Sequence, residues 1–332
     1  MNILAFIMAV FVAVSNQTVP IDIDTNPFII DLDFCTDVDD AVAVRMATSL
    51  DKQGMIDLKA SMLCTTGSNN ITAMNGILNY DGYGHIPIGS AALDEPDSSP
   101  YWDLCSEYAL PEDQIQTKNS VTLYREILSS SLNPVTIVTT GYVTNIAELL
   151  KSEPDEISNL DGKELVKRKV KAIYITGGSY PDGYCNNFFF TENARKSVNY
   201  ILEHCEAPMY FISSNNGAPI NCGGLLQARD VNRIDPVSRS LDAFGTSVGR
   251  AAWDPMSVWV AALPLEKSNM MVERANLVVD LDTGFNTFTA CDDGKIFRMN
   301  RVHDDLNWYK VQLDEMVVKG TPFDSIYYID NK

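Results

Sequence analysis

The patterning of the chain predicts an α/β fold, an open and mainly parallel sheet with helices on both faces. Three observations carry this. Strand, loop and helix patterns follow one another several times in that order, which is how crossover connections build a parallel sheet. The strand candidates are short apolar runs, some rich in β-branched residues, as buried strands are. Polar clusters recur just past them: Asp31/Asp33/Asp37/Asp39/Asp40, then Asn69/Asn70, Thr140 and Asn186/Asn187. Open parallel sheets bind ligands beyond the carboxyl ends of their strands, so four separate segments are expected to converge on one crevice.

In chain order, Phe28-Ile29-Ile30 reads as a buried strand running into Asp31-Leu32-Asp33, and Ala41 to Leu50 as the helix after it. Leu58 to Thr65 is a second strand, closed by Thr66-Gly67-Ser68-Asn69-Asn70, and Ile71 to Tyr80 a second helix. Val121 to Ser130 is helical. Pro134 to Thr140 is a strand that Gly141 breaks, with a helix from Asn145 to Leu150. Val170 to Ile175 is a strand ending at Gly177-Gly178. Ala194 to His204 is a helix and Met209 to Ile212 a strand. No repeat of fixed period and no long linker interrupts residues 25–330, so one domain is expected there.

The 332 residues are enough to bury a large core. With 45% hydrophobic and 21% charged residues, 19 Gly and 15 Pro, the chain is neither disordered nor collagenous. Lys+Arg 25 against Asp+Glu 44 gives a formal charge of −19, which excludes nucleic-acid binding through a broad basic surface. Ile3 to Val14 is an unbroken apolar run, too short to span a bilayer and of signal-peptide length. Ala13-Val14-Ser15 supplies small residues for cleavage, although Met1-Asn2 carries no positive charge. Residues 1–15 are therefore expected to be a signal peptide, the mature chain to be secreted and its remainder to have no membrane span. Seven cysteines (35, 64, 105, 185, 205, 222, 291) form no CxxC pair; in a secreted chain they allow up to three disulfides of undetermined pairing. Asn16-Gln17-Thr18 and Asn70-Ile71-Thr72 are glycosylation sequons.

The most informative stretch is DLDFCTDVDD, residues 31–40, with five carboxylates between an apolar strand and an apolar helix. Grouped carboxylates repel one another, and a buried group of them needs protons or a cation. A hard divalent ion with oxygen ligands answers that need, Ca2+ being the natural candidate; a solvated acidic loop is the bland alternative. An EF-hand loop counted from Asp31 would need Gly and Glu where Thr36 and Val42 stand, so it fails. A DxD phosphatase stays open, though Phe34-Cys35 follows Asp33 instead of the usual Gly-Thr or Gly-Val.

Asp31-Leu32-Asp33-Phe34-Cys35-Thr36-Asp37-Val38-Asp39-Asp40-Ala41 resembles the N-terminal DxDxGTDVDDA signature of the nucleoside hydrolase family. Three further stretches resemble that family's motifs in the right order: Thr139-Thr140-Gly141-Tyr142-Val143-Thr144-Asn145-Ile146-Ala147 (TGxLTNxA), Ile175-Thr176-Gly177-Gly178-Ser179-Tyr180 (MGGxY) and Ala252-Trp253-Asp254-Pro255 ((H/W)DP). The resemblance runs from about residue 28 to the C-terminus. It implies a Rossmann-like nucleoside hydrolase fold and hydrolysis of the N-glycosidic bond of ribonucleosides to free base and ribose. It also implies one Ca2+ held by Asp33, Asp40, the Thr140 carbonyl and Asp254, with Asp33 taking the proton of the attacking water. Asp39 and Asn187 would bind the ribose hydroxyls. Asn69 lies near the family's ribose-binding Asn, with Ser68 and Asn70 competing for that register. Trp253 matches the purine-preferring members, where it stacks on the base, and Trp102 is a candidate second stacking face; a buried core Trp is the alternative reading of residue 253. The implied partner is a small nucleoside, with no nucleic acid, and the assembly a homodimer or homotetramer. Two departures stand out. Cys185 occupies the place of a ribose-binding Glu, with Asn186 a candidate substitute, which raises the alternative of a nucleoside-binding protein with weakened turnover. Cys35 stands where glycine is usual.

Overall fold

In the computed structural model the described residues are 26–324, apart from positions 36 and 303. The expected signal segment and the first sequon lie outside them. Thirteen strands are present among the described residues: β1 (Pro27–Leu32), β2 (Asp57–Leu63), β3 (Ile88–Ser90), β4 (Thr117–Asn119), β5 (Val135–Thr139), β6 (Val170–Thr176), β7 (Asp182–Gly183), β8 (Met209–Ile212), β9 (Asn221–Gly223), β10 (Gly249–Ala251), β11 (Met270–Val279), β12 (Asn286–Ala290) and β13 (Ile296–Arg301). Eleven of them form one sheet in the order β4-β3-β2-β1-β5-β6-β8-β13-β11-β12-β7, and β9 and β10 pair separately. The eight strands from β4 to β13 are mutually parallel, and β11, β12 and β7 continue the sheet antiparallel. The predicted mainly parallel α/β sheet is therefore present.

Strand β1 explains how the sheet is buried on both sides. All six of its residues are buried. Side chains alternate along a strand, so Phe28, Ile30 and Leu32 enter one apolar cluster, with Val42, Met46, Met256 and Leu313 from covering helices. Ile29 enters the cluster on the other face, with Leu123, Ile146, Val166 and Val198. The first face is covered by helices Asp39–Lys52, Trp253–Ala262 and Leu306–Val318, the second by Ser120–Ser130, Thr144–Lys151, Gly162–Lys169 and Glu192–His204.

The predicted elements are found with ends shifted by a residue or two, as with Asp39–Lys52 for the first helix and Val135–Thr139 for β5. From β1 the chain builds outward through β2, β3 and β4, then returns to lay β5 on the other side of β1. The strand order reverses there, and the carboxyl ends of β1 and β5 open the crevice in which such sheets bind ligands.

Two possibilities that the sequence leaves open are not used among the described residues. All seven cysteines are free thiols, so the allowance of up to three disulfides is not used. Asn70 is buried and its amide donates to the Thr65 carbonyl at 2.9 Å, which leaves the second sequon no room for a glycan.

Candidate active site

The crevice is a cavity of about 560 Å³, of the size that takes a small organic ligand. Asp33, Asp39, Asp40, Thr140, Asn187, Trp253 and Asp254 all line it. The structure thus brings together seven of the eight residues singled out in the sequence. Asn69 is the exception: it is exposed, its amide donates to Asp103 Oδ1 at 2.8 Å, and it is not on the cavity wall. The expected ribose contact from Asn69 is corrected accordingly. Asn70 beside it is buried instead, its side-chain amide donating to the Thr65 carbonyl just past β2.

Asp31 and Asp33 part company at the end of β1. Asp31, still in the strand, points into the second apolar face. There its carboxylate accepts from Tyr124 Oη at 2.8 Å and from Asn145 Nδ2 at 2.9 Å. Asn145 also donates to the Leu63 carbonyl and accepts from Ala92 N and Ser120 Oγ, so the ends of β1 and β2 and two helices share one satisfied knot. Asp33 lies past the strand, half-buried at the cavity. Gly141 permits this approach, since a β-carbon there would stand 2.6 Å from the Asp33 backbone nitrogen and 2.7 Å from Cys64 Sγ.

The acidic loop is held from below. Phe34 adopts φ +24°, a left-handed conformation unusual for a bulky residue, and is fully buried against Tyr101. Trp102 donates its indole N–H to the Phe34 carbonyl at 3.0 Å, and Tyr101 Oη donates to the Asp37 carbonyl at 2.6 Å. Trp102 is therefore a support beneath the loop and does not line the cavity, which removes it as a second stacking face.

Two helix N-termini meet at the cluster. Asp39 and Asp40 begin one helix, Trp253 and Asp254 the other, and the Asp254 backbone N–H donates to Asp39 Oδ2 at 3.2 Å. Helix dipoles favour negative charge at such ends. Even so, burial pushes Asp39, Asp40 and Asp254 well above the ordinary carboxylate range, their mutual repulsion adding to it, and burial raises Asp33 to about 7. Asp31, buried in its knot, is likewise raised to about 7.

Ligand atoms fall into two overlapping groups, Asp39/Asp40/Asp254 and Asp33/Cys35/Asp40, each with its atoms within 4.8 Å of one another. Asp40 belongs to both. It is 1% exposed, and its Oδ1 has no hydrogen-bond partner. A buried carboxylate oxygen without a donor is costly, and a cation among these oxygens removes both that cost and the repulsion, so the donor set fits a hard divalent ion. Thr140 lines the cavity, and its carbonyl accepts from Asn187 Nδ2 at 2.5 Å. Asn187 Nδ2 also donates to the Thr176 carbonyl at 3.0 Å, which leaves its Oδ1 as a free acceptor. Cys185 is buried on the wall and Asn186 beside it is exposed.

Arg250 was not singled out by any motif or spacing. It lines the cavity, forks onto Asp37 at 2.8 and 2.6 Å, and lies between Phe244 and Trp253, 5.0 and 4.9 Å from their ring centres. Trp253, half-buried, thus carries a guanidinium on its ring, while Tyr142, Tyr184 and Phe190 supply aromatic wall elsewhere. His85 and His204 are not on the wall.

Comparison with known proteins agrees with this picture. No family model matches the chain. A pyrimidine-specific ribonucleoside hydrolase of Citrobacter koseri is 28% identical over 211 residues, covering 61% of this chain and 54% of that protein, so the match spans about half of the relative's length. The inosine–uridine preferring nucleoside hydrolase of Bacillus anthracis superposes with a TM-score of 0.64 at 15% identity, over 88% of this chain and 100% of the other. A purine-preferring ribonucleoside hydrolase of Gardnerella vaginalis gives 0.65 at 18%, over 89% and 98%. The fold is that of the nucleoside hydrolases.

Proposed function

We propose that the chain hydrolyses the N-glycosidic bond of ribonucleosides, purine nucleosides preferred, with Ca2+ bound among Asp33, Asp40, Asp254 and the Thr140 carbonyl. The observation that carries this reading is the buried, unpartnered Asp40 carboxylate amid three other acids, at the switch point of the sheet and on the wall of a nucleoside-sized cavity. When bound, the ion supplies charge that offsets the carboxylates and makes a neighbouring water more acidic. Asp33 accepts the proton of the water that attacks C1′. Asp39 keeps one oxygen on the Asp254 N–H and offers the other to the ribose hydroxyls, and Asn187 Oδ1 accepts from the same sugar face. Trp253 offers a ring on which the base stacks, and no His of the described residues stands by to protonate the leaving base.

The test is release of reducing sugar from inosine, adenosine and uridine, with and without chelator. Chelator-sensitive release, faster from the purines, is the expected result. No release from any nucleoside would overturn it. Cys185, buried on the wall in place of a charged acceptor, favours a second reading, a nucleoside-binding protein with weakened turnover. Nucleoside binding by calorimetry without sugar release would select it. The phosphatase reading needs both carboxylates of Asp31-Leu32-Asp33 at the cavity, and Asp31 is turned away onto Tyr124 and Asn145. Residues 1–15 are proposed to direct secretion of one domain spanning 25–330; a native N-terminus at Met1 would refute the export.

A further inference from the structure

We propose that Cys35 gives the acidic centre a second, thiophilic mode, in which Asp33, Cys35 and Asp40 together bind a borderline or soft divalent ion such as Zn2+ or Cd2+. This rests on the reading of Asp33 and Asp40 as cation ligands and extends it to a donor set that a Ca2+ site does not use. The sulfur and one oxygen of each carboxylate lie within 4.8 Å of one another, and all three residues line the cavity. In a tetrahedral zinc site with bonds of about 2.0–2.3 Å, neighbouring ligand atoms stand about 3.3–3.8 Å apart. A closure of about 1 Å, within reach of side-chain rotation, is all the group requires.

The independent observation is Asp40. Its side chain is almost completely buried on the cavity wall, and Oδ1 has no donor from the protein. The Asp40 carboxylate belongs to both groups of ligand atoms. The choice between groups follows from donor chemistry. Ca2+ takes oxygens and leaves a thiol alone, whereas thiolate sulfur selects zinc-like ions. On binding, a sulfur–metal bond replaces the S–H bond and the proton passes to solvent. The fold holds Cys35 in place because Phe34, one residue earlier, is locked under the loop by Trp102 and Tyr101. Since Asp33 and Asp40 serve both modes, the two ions exclude each other, and a thiophilic ion occupies the carboxylate proposed as the base.

The experiment is titration of the metal-stripped full chain with Cd2+, followed by the ultraviolet sulfur-to-cadmium charge-transfer band, with Ca2+-induced thermal shift as a parallel readout. The wild type is expected to bind one Cd2+ with the band, and prior Ca2+ to weaken that binding. Cys35→Ser and Cys35→Ala should lose the band and bind Cd2+ at least about tenfold more weakly, while Cys185→Ser keeps both. The Ca2+ shift should persist in the Cys35 variants. A band of equal strength in Cys35→Ser, or no band in the wild type, overturns the proposal. A Ca2+ shift without the band refutes this mode alone. A band lost in Cys35→Ser with no Ca2+ shift in any form refutes calcium binding and keeps this mode.

Discussion

Asp33 is the residue on which the chemistry turns. It is half-buried, raised to about 7 by burial, and set on the cavity wall beside Asp40. Asp33→Asn keeps the shape and removes the base, so sugar release should fall by about 10²- to 10⁴-fold; a variant within threefold of wild type would contradict the role. Trp253 governs the choice of base. Stacking is worth about 1–3 kcal/mol per base, a factor of about 5 to 150. Trp253→Ala should lower kcat/KM for inosine within that range and leave Ca2+ binding near wild type, because the Asp254 carboxylate and backbone are untouched. Faster uridine than inosine cleavage by the wild type, or an unchanged inosine rate in the variant, would remove the stacking role. The acids were legible in the sequence because Asp33, Asp37, Asp39 and Asp40 fall close together at one strand-to-helix junction, where spacing alone brings them near one another. Arg250 was not, since a lone Arg carries no periodicity and its meaning comes from Asp37, more than two hundred residues away. Asn69 was misplaced for a related reason. Three adjacent polar residues compete for one register in a turn, and it is Asn70 that turns inward, its side-chain amide donating to the Thr65 carbonyl.

At the scale of elements, the site depends on how β1 ends. The Asn145 side chain ties Asp31, the Leu63 carbonyl, the Ala92 N–H and Ser120 into one buried cluster between β1, β2 and the helices Thr144–Lys151 and Ser120–Ser130. Asn145→Ala strips partners from several buried groups, each costing about 1–3 kcal/mol when left unsatisfied. The loss should total about 2–4 kcal/mol, read as a lower urea midpoint at unchanged m-value, with kcat/KM falling as the acidic loop loosens. A midpoint like wild type would show that water replaces the amide. The βα alternation was readable because parallel strands are short, apolar and separated by amphipathic helices. Strands β11 to β13 were not. β11 alternates buried and exposed residues over only part of its length, and its exposed Met271 and Val278 blur the period-two pattern. β3 and β4, three residues each, are too short to carry a pattern at all.

For the whole molecule, the buried carboxylates couple folding to cation and pH together. Asp31 and Asp33 are each raised from 3.8 to about 7 by burial, and Asp39, Asp40 and Asp254 are raised as well. A group with a raised folded pKa holds its proton longer in the native chain than in the unfolded one. Between about pH 4 and 7 the native state therefore binds more protons, and stability falls as pH rises. The contribution is fully present below the unfolded value and is lost by the time the pH passes the folded one. Without cation, the protein should thus be most stable at the acid side of this window, against the usual behaviour of salt-bridged carboxylates. A divalent ion does for Asp33, Asp40 and Asp254 what protons do at low pH, but it competes with those protons for the same oxygens. The gain in Tm from Ca2+ should therefore be small at pH 5 and grow steadily to pH 7.5, while Asp31, tied to Tyr124 and Asn145, titrates in both forms alike. Thermal melts of chelated and Ca2+-loaded protein across this range measure it directly. The Asp40→Asn variant, which removes one repelling charge, should be less sensitive to pH without cation and gain less from Ca2+. A Ca2+ shift that is flat from pH 5 to 7.5, or that shrinks as pH rises, would mean that the ion does not sit among these carboxylates.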